Sequence, residues 1–231
     1  IHMMNGGPPT PIKQRRSKMN RRRWVPIFLA FLLVAPLSVP AFGWDKIVAF
    51  GDSLSDNGSG ICLASNGPVW LDYLADSMRD VELEDRALCG AQTDGPLIAG
   101  NTINIGMIQQ VNDYLVSLPA NADLSGTLFS VWIGGNDLLA LGPSEEIISA
   151  AITNINDALQ ALVFAGAKDL LVMKLPDLGL APAFVNTPLS SAYTSGSIAF
   201  NIYLTQLVCD FRGAFTKVKF YMADTFALLQ Y

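Results

Sequence analysis

Lys46 to Gly58 read KIVAFGDSLSDNG, a short run rich in Ile, Val and Phe that breaks at Gly51 and continues as small and acidic residues. The first five residues have the length and composition of a buried strand. The Gly-Asp-Ser that follows delivers a hydroxyl, that of Ser53, to the point where the strand ends. In an open α/β sheet, ligands bind at the carboxyl ends of parallel strands, so Ser53 falls at the edge where chemistry is done. Glycine at 51 lets the backbone turn with no side chain in the way. Taken alone, Ser53 reads equally well as the N-cap of a helix.

Working outward, short apolar runs alternate with longer periodic ones. Strands are expected at Lys46–Phe50, Thr127–Ile133, Leu170–Leu175 and Val218–Ala223, and helices at Val69–Met78, Met107–Leu118, Ser144–Ala165 and Ser197–Ala214. The third helix has the clearest ends, with Ser144 before Glu145 and Glu146 at its start and Gly166 after its last apolar position. Strand, helix, strand in that order favours parallel pairing through right-handed crossovers, hence a three-layer α/β sandwich with a mainly parallel central sheet flanked by helices. Residues 176–196, with three prolines and several small residues, read as a long loop over the sheet edge that either lines a site or only connects two elements.

Charge divides the chain. Seven of its 15 basic residues precede Trp24 and no acid precedes Asp45, so from Trp24 onward 8 basic residues face all 20 acids, a formal charge of −12. An acidic body without a basic stripe excludes nucleic acid as a partner. The basic cluster leads into IFLAFLLVAPLSV (residues 27–39) and then to small residues around Ala41 and Gly43, which is the plan of a signal peptide cleaved after one of those two. The run is interrupted by Pro36 and Pro40 and falls short of a bilayer span, so an uncleaved anchor is the lesser alternative. The expected organisation is a non-native or over-extended leader over 1–18, a signal peptide over 19–43 and one domain over 44–231. Localisation is then secreted or periplasmic. Of Cys62, Cys89 and Cys209 at least one stays unpaired; their spacing fits no zinc pattern, and sequence alone does not say whether a bridge forms.

Ser53 lies in a near match to the nucleophile elbow Gly-x-Ser-x-Gly, but Ser55 stands where the second glycine belongs, which argues against an α/β-hydrolase. A different family fits better. FGDSLSDNG (Phe50–Gly58) resembles the first block of the GDSL (SGNH) esterases and lipases; ALCGAQT (Ala87–Thr93) and VWIGGNDL (Val131–Leu138) resemble its second and third blocks, in the same order. The resemblance implies an SGNH-hydrolase, flavodoxin-like fold and a carboxylic-ester hydrolase acting through an acyl-serine intermediate. It implies Ser53 as nucleophile, and the Ser53 amide, the Gly90 amide and the Asn136 side chain as the oxyanion hole. Asp52, Asp56 and Asp137 have no assigned role in these blocks and read as hydrogen-bonding braces. The chemistry needs no metal or organic cofactor, and the implied partner is a small-molecule or lipid acyl ester, with membrane contact only through an uncleaved signal segment or that lipid.

The family's last block, Asp-x-x-His, has no counterpart here. The sole histidine is His2, ahead of the expected cleavage site, and Asp224 in DTFALLQ resembles a segment that precedes the block. The catalytic Asp and His are therefore absent from this chain, and the fold is expected to be incomplete at its C-terminus. Serine without a base near neutral pH is a poor nucleophile, so feeble activity is expected. The alternative is a non-catalytic exported binding protein that keeps the hydrolase cleft. The sequence does not fix the substrate; pocket width would come from loops such as 62–68, 95–102 and 176–196.

Overall fold

A computed structural model of the chain describes residues 43–58, 65–78, 80–95 and 106–228. The expected leader and all of the expected signal peptide but Gly43 lie outside the described residues, as do residues 62–64 of the loop 62–68 and 96–102 of the loop 95–102.

Five parallel strands form one sheet in the order β2-β1-β3-β4-β5. In chain order the elements are β1 (Lys46–Gly51), α1 (Trp70–Ser77), β2 (Glu82–Asp85), α2 (Met107–Ser117), β3 (Thr127–Trp132), α3 (Gly135–Leu141), α4 (Glu145–Ala165), β4 (Asp169–Met173), α5 (Ser190–Ala214), β5 (Lys219–Ala223) and α6 (Thr225–Leu228). The expected strands and helices are all present. The central strands are buried on both faces, β3 along its whole length, as a parallel sheet requires. On one face Val48, Phe50, Phe129, Val131, Leu170 and Val172 pack with α2, α4 and α5; on the other Ile47, Ala49 and Leu128 pack with Leu71 of α1. These are the three layers of the expected α/β sandwich.

α4 is bounded as its sequence indicates. Ser144 Oγ accepts from the Ile147 amide at 3.3 Å, and Gly166 closes the helix with φ +112°. Among the described residues it is the one helix long and apolar enough to cross a bilayer, but its apolar stripe of Ile148, Ile155, Leu159 and Leu162 is spent on the core.

Three elements differ from the sequence reading. β2 is ELED, an edge strand with no apolar pattern, held to β1 by parallel pairing and by Lys46 bridging Glu82 (3.1 Å) and Glu84 (2.6 Å). α3, which the sequence reading did not list, begins at Gly135 and carries Asn136 and Asp137 in its first turn. The segment 176–196 is not one long loop: it holds a 3₁₀ turn, Leu178–Leu180, and α5 starts at Ser190. The small polar residues that suggested a loop are there for close approach. Ser190 Oγ donates to Gly179 O (2.9 Å), Thr194 Oγ1 donates to Asp177 Oδ1 (2.7 Å), and Ser197 Oγ accepts from the Leu178 amide (3.1 Å).

Candidate active site

β1 and β3 run side by side with Gly51 opposite Trp132. A Cβ on Gly51 would stand 2.4 Å from the Trp132 carbonyl oxygen, so only glycine permits this approach. Directly after it the chain folds on itself: the amides of Ser55 and Asp56 both donate to Asp52 O at 3.0 Å, and the Asp52 carboxylate accepts from the Leu54 amide at 3.0 Å. Asp52, Ser55 and Asp56 are buried in this turn, while Ser53 is partly exposed. Ser53 is thus a turn residue at the carboxyl end of the central strand.

The second block follows β2, the neighbour of β1 on its other side. The Leu88 amide donates to Gly51 O at 3.0 Å and the Cys89 amide to Asp56 Oδ2 at 2.9 Å, which fixes this segment against the Ser53 turn. Gly90 follows with φ +80°, a conformation that favours glycine. Cys89 is disulfide-bonded and Cys209 is a free, exposed thiol, while Cys62 lies outside the described residues.

The third block follows β3. Gly134, at φ +108°, caps α3, and a Cβ there would meet the Phe200 ring at 2.4 Å. Asn136, partly exposed, donates through Nδ2 to Ala91 O at 2.8 Å, and Gln92 Nε2 donates back to Asn136 O at 3.2 Å. One helical position further, the Asp137 carboxylate accepts from the Thr93 amide (3.1 Å) and hydroxyl (2.5 Å), and Asn154 of α4 donates to that hydroxyl at 3.0 Å.

Ser53, Gly90 and Asn136 therefore emerge from three adjacent strand ends and belong to loops hydrogen-bonded to one another. Asp52, Asp56 and Asp137 each accept backbone amides, the bracing role their positions suggested. Gln110, Gln92, Thr93 and Asn154 were not singled out from the sequence. A signal existed for Gln110, which interrupts the buried stripe Met107, Val111, Tyr114 of α2 with a polar side chain.

Burial sets the electrostatics. It pushes the Asp52 carboxyl up to about 7, against the Leu54 hydrogen bond and with help from the charge of Asp137. Burial likewise raises Asp137, opposed by its bonds to Thr93, and pushes Asp85 up to about 6, opposed by the amides of Asn57 and Ala87. No group of three His, Cys, Asp or Glu among the described residues is arranged to hold a metal ion. The three loops together bring a partly exposed hydroxyl, a left-handed glycine and an amide side chain to one edge of the sheet.

Residues 47–230 match the family model described as GDSL-like lipase/acylhydrolase. The chain belongs to that family. Its GDSL relatives include the phosphatidylcholine-sterol acyltransferase of Aeromonas hydrophila, 33% identical over 176 residues that cover 67% of this chain and 51% of that protein. The thermolabile hemolysin of Vibrio parahaemolyticus is 32% identical over 157 residues, covering 61% and 36%. The chain thus spans about half the length of the first relative and about a third of the second. Among solved structures, a carbohydrate acetylesterase from Sinorhizobium meliloti superposes with a TM-score of 0.51 at 17% identity, covering 77% of this chain and 83% of that one. A lipolytic G-D-S-L family member from Veillonella parvula superposes with a TM-score of 0.50 at 14% identity, covering 76% and 75%. At those identities the likeness is one of fold.

Proposed function

We propose that this chain carries the nucleophile and oxyanion hole of a secreted carboxylic-ester hydrolase that works through an acyl-serine intermediate on lipid acyl esters. The observation that carries the reading is the hydrogen-bonded closure of the Gly90 and Asn136 loops onto the Ser53 turn. Ser53 Oγ attacks the ester carbonyl, its proton passes to a base, and the charge that develops on the carbonyl oxygen is met by the Ser53 and Gly90 amides and Asn136 Nδ2. Collapse expels the alcohol and leaves acyl-Ser53, which water hydrolyses. The name of the phosphatidylcholine-sterol acyltransferase supports a lipid substrate. The disulfide at Cys89 and the basic-then-apolar N-terminal sequence support export to an oxidising compartment.

No histidine occurs from residue 3 to residue 231, so these residues offer no imidazole to take the Ser53 proton, and feeble turnover is expected of them by themselves. That same observation favours a second reading, an exported protein that binds acyl ligands in the cleft without cleaving them. A fluorophosphonate probe, applied with and without imidazole as an added base, decides. Stoichiometric labelling that maps to Ser53, rises with imidazole and vanishes in Ser53→Ala supports the hydrolase. Saturable binding of an acyl ligand with no adduct under either condition rejects it for the binding protein.

A further inference from the structure

Two buried carboxamides do the same thing at two strand ends. Gln110 of α2 accepts the Gly51 amide on Oε1 at 2.9 Å and donates from Nε2 to the Gly51 carbonyl at 2.9 Å. Asn201 of α5 accepts the Leu175 amide on Oδ1 at 2.8 Å and donates from Nδ2 to the Leu175 carbonyl at 2.9 Å. Each side chain takes both polar groups of one residue, as a neighbouring strand would, at a point where the ladder has run out. Both are buried, so each would be costly in the core without those bonds.

The two clamps differ in what they hold. β2 pairs with β1 only as far as Ala49, opposite Asp85. Beyond it the Arg86 amide still donates to Ala49 O and the Leu88 amide to Gly51 O, but the Gly51 amide turns to Gln110. The Gly51 carbonyl therefore accepts both from Gln110 and from Leu88, two residues before Gly90. One carboxamide thus fixes the peptide plane from which the Asp52–Ser53 turn departs, together with the segment that leads to Gly90. Leu175 carries no residue of the Ser53, Gly90 and Asn136 constellation.

We infer that Gln110 is a positioning residue for the reaction at Ser53: by clamping both polar groups of Gly51 it sets the geometry between the Ser53 hydroxyl and the Gly90 amide. The inference rests on the hydrolase reading of the site. A displacement of about 1 Å at a reacting group costs about 100-fold in rate, and loss of this clamp is expected to act on that scale.

The test is the rate of Ser53 phosphonylation by a fluorophosphonate in the presence of imidazole, resolved into the affinity for the probe and the rate constant of the bound step. Gln110→Met, close in volume and unable to make either bond, is expected to slow the bound step by about 10- to 100-fold with little change in affinity. Asn201→Leu, which breaks the matching clamp on Leu175, is expected to lower Tm while leaving the bound step at the rate of the unmodified protein. Gln110→Glu keeps the shape should Gln110→Met fold poorly. Its neutral acid can accept from the Gly51 amide and donate to the Gly51 carbonyl, so the bound step should recover as pH falls and the new carboxyl protonates. Equal rates for the unmodified protein and a folded Gln110→Met overturn the inference alone, as does equal slowing by Gln110→Met and Asn201→Leu. Absence of any Ser53 labelling in the unmodified protein overturns the hydrolase reading and the inference with it.

Discussion

Asn136 Nδ2 donates to the carbonyl oxygen of Ala91 at 2.8 Å, so the side chain proposed to meet the oxyanion is held by the loop that bears Gly90. One proton of that amide is used in the bond, and the proposed oxyanion contact would use the other. Asn136→Ala removes donor and tie together. It is expected to reduce imidazole-supported, Ser53-dependent turnover of a short acyl ester by about 100- to 1000-fold. Turnover within a few-fold of the unmodified protein in a folded variant would remove Asn136 from the oxyanion hole.

Thr93→Val is expected to destabilise the fold by about 1–3 kcal/mol, because Asp137 keeps the Thr93 amide but loses its hydroxyl donor, and Asn154 loses an acceptor. The loss should be larger at a higher pH, where the Asp137 carboxylate is charged, than at a lower pH, where the carboxyl raised by burial holds its proton. Urea denaturation at the two pH values reads the difference.

Asp52 should impose a pH dependence of its own. Its carboxyl titrates at about 7 when folded and near the ordinary value of 3.8 when unfolded. Below the lower value both states hold the proton and nothing is lost. Between the two values the unfolded chain releases it and the folded chain does not, so stability falls as pH rises through that window and levels above it. Asp52→Asn keeps an acceptor for the Leu54 amide and should flatten the profile between pH 4 and 7, leaving the variant at least as stable as the unmodified protein at pH 8. An unchanged slope in chemical denaturation would contradict the assignment.

At Gly134, alanine would have to adopt φ +108° with its methyl against the Phe200 ring. Gly134→Ala is expected to cost several kcal/mol, in keeping with overpacking combined with backbone strain. By contrast Ser144→Ala, which loses one exposed cap bond, should cost about 1 kcal/mol. Differential scanning calorimetry should rank the two in that order.

The sequence made legible whatever was repeated locally. KIVAF, the run ending in Trp132 and the stripe of α4 announce themselves because burial on both faces or on one helix face dictates composition over several residues. ELED carried no such pattern, since an edge strand is held by partners and ion pairs rather than by its own apolar residues. The start of α5 was hidden because Ser190, Thr194 and Ser197 answer to groups 11 to 19 residues away. At the site, Ser53, Gly90 and Asn136 were legible as members of motifs. Gln110 and Thr93 were not, because each acts on a residue 44 or more positions distant, Gln110 lies outside every motif, and Thr93 ends the second block with no assigned role there.

The register of the sheet also has a cost in time. Lys46 pairs with Thr127, so the strand that leads to Ser53 lies 81 residues ahead of its central partner. At ribosomal rates of about 5–20 residues per second, KIVAF exists for on the order of several seconds as an apolar strand with unmet backbone groups. In that interval the hydroxyl of Ser53 has been made but its surroundings have not. A nascent chain of this design has to be shielded from its neighbours, and it acquires a site late and all at once, when β3 closes against β1.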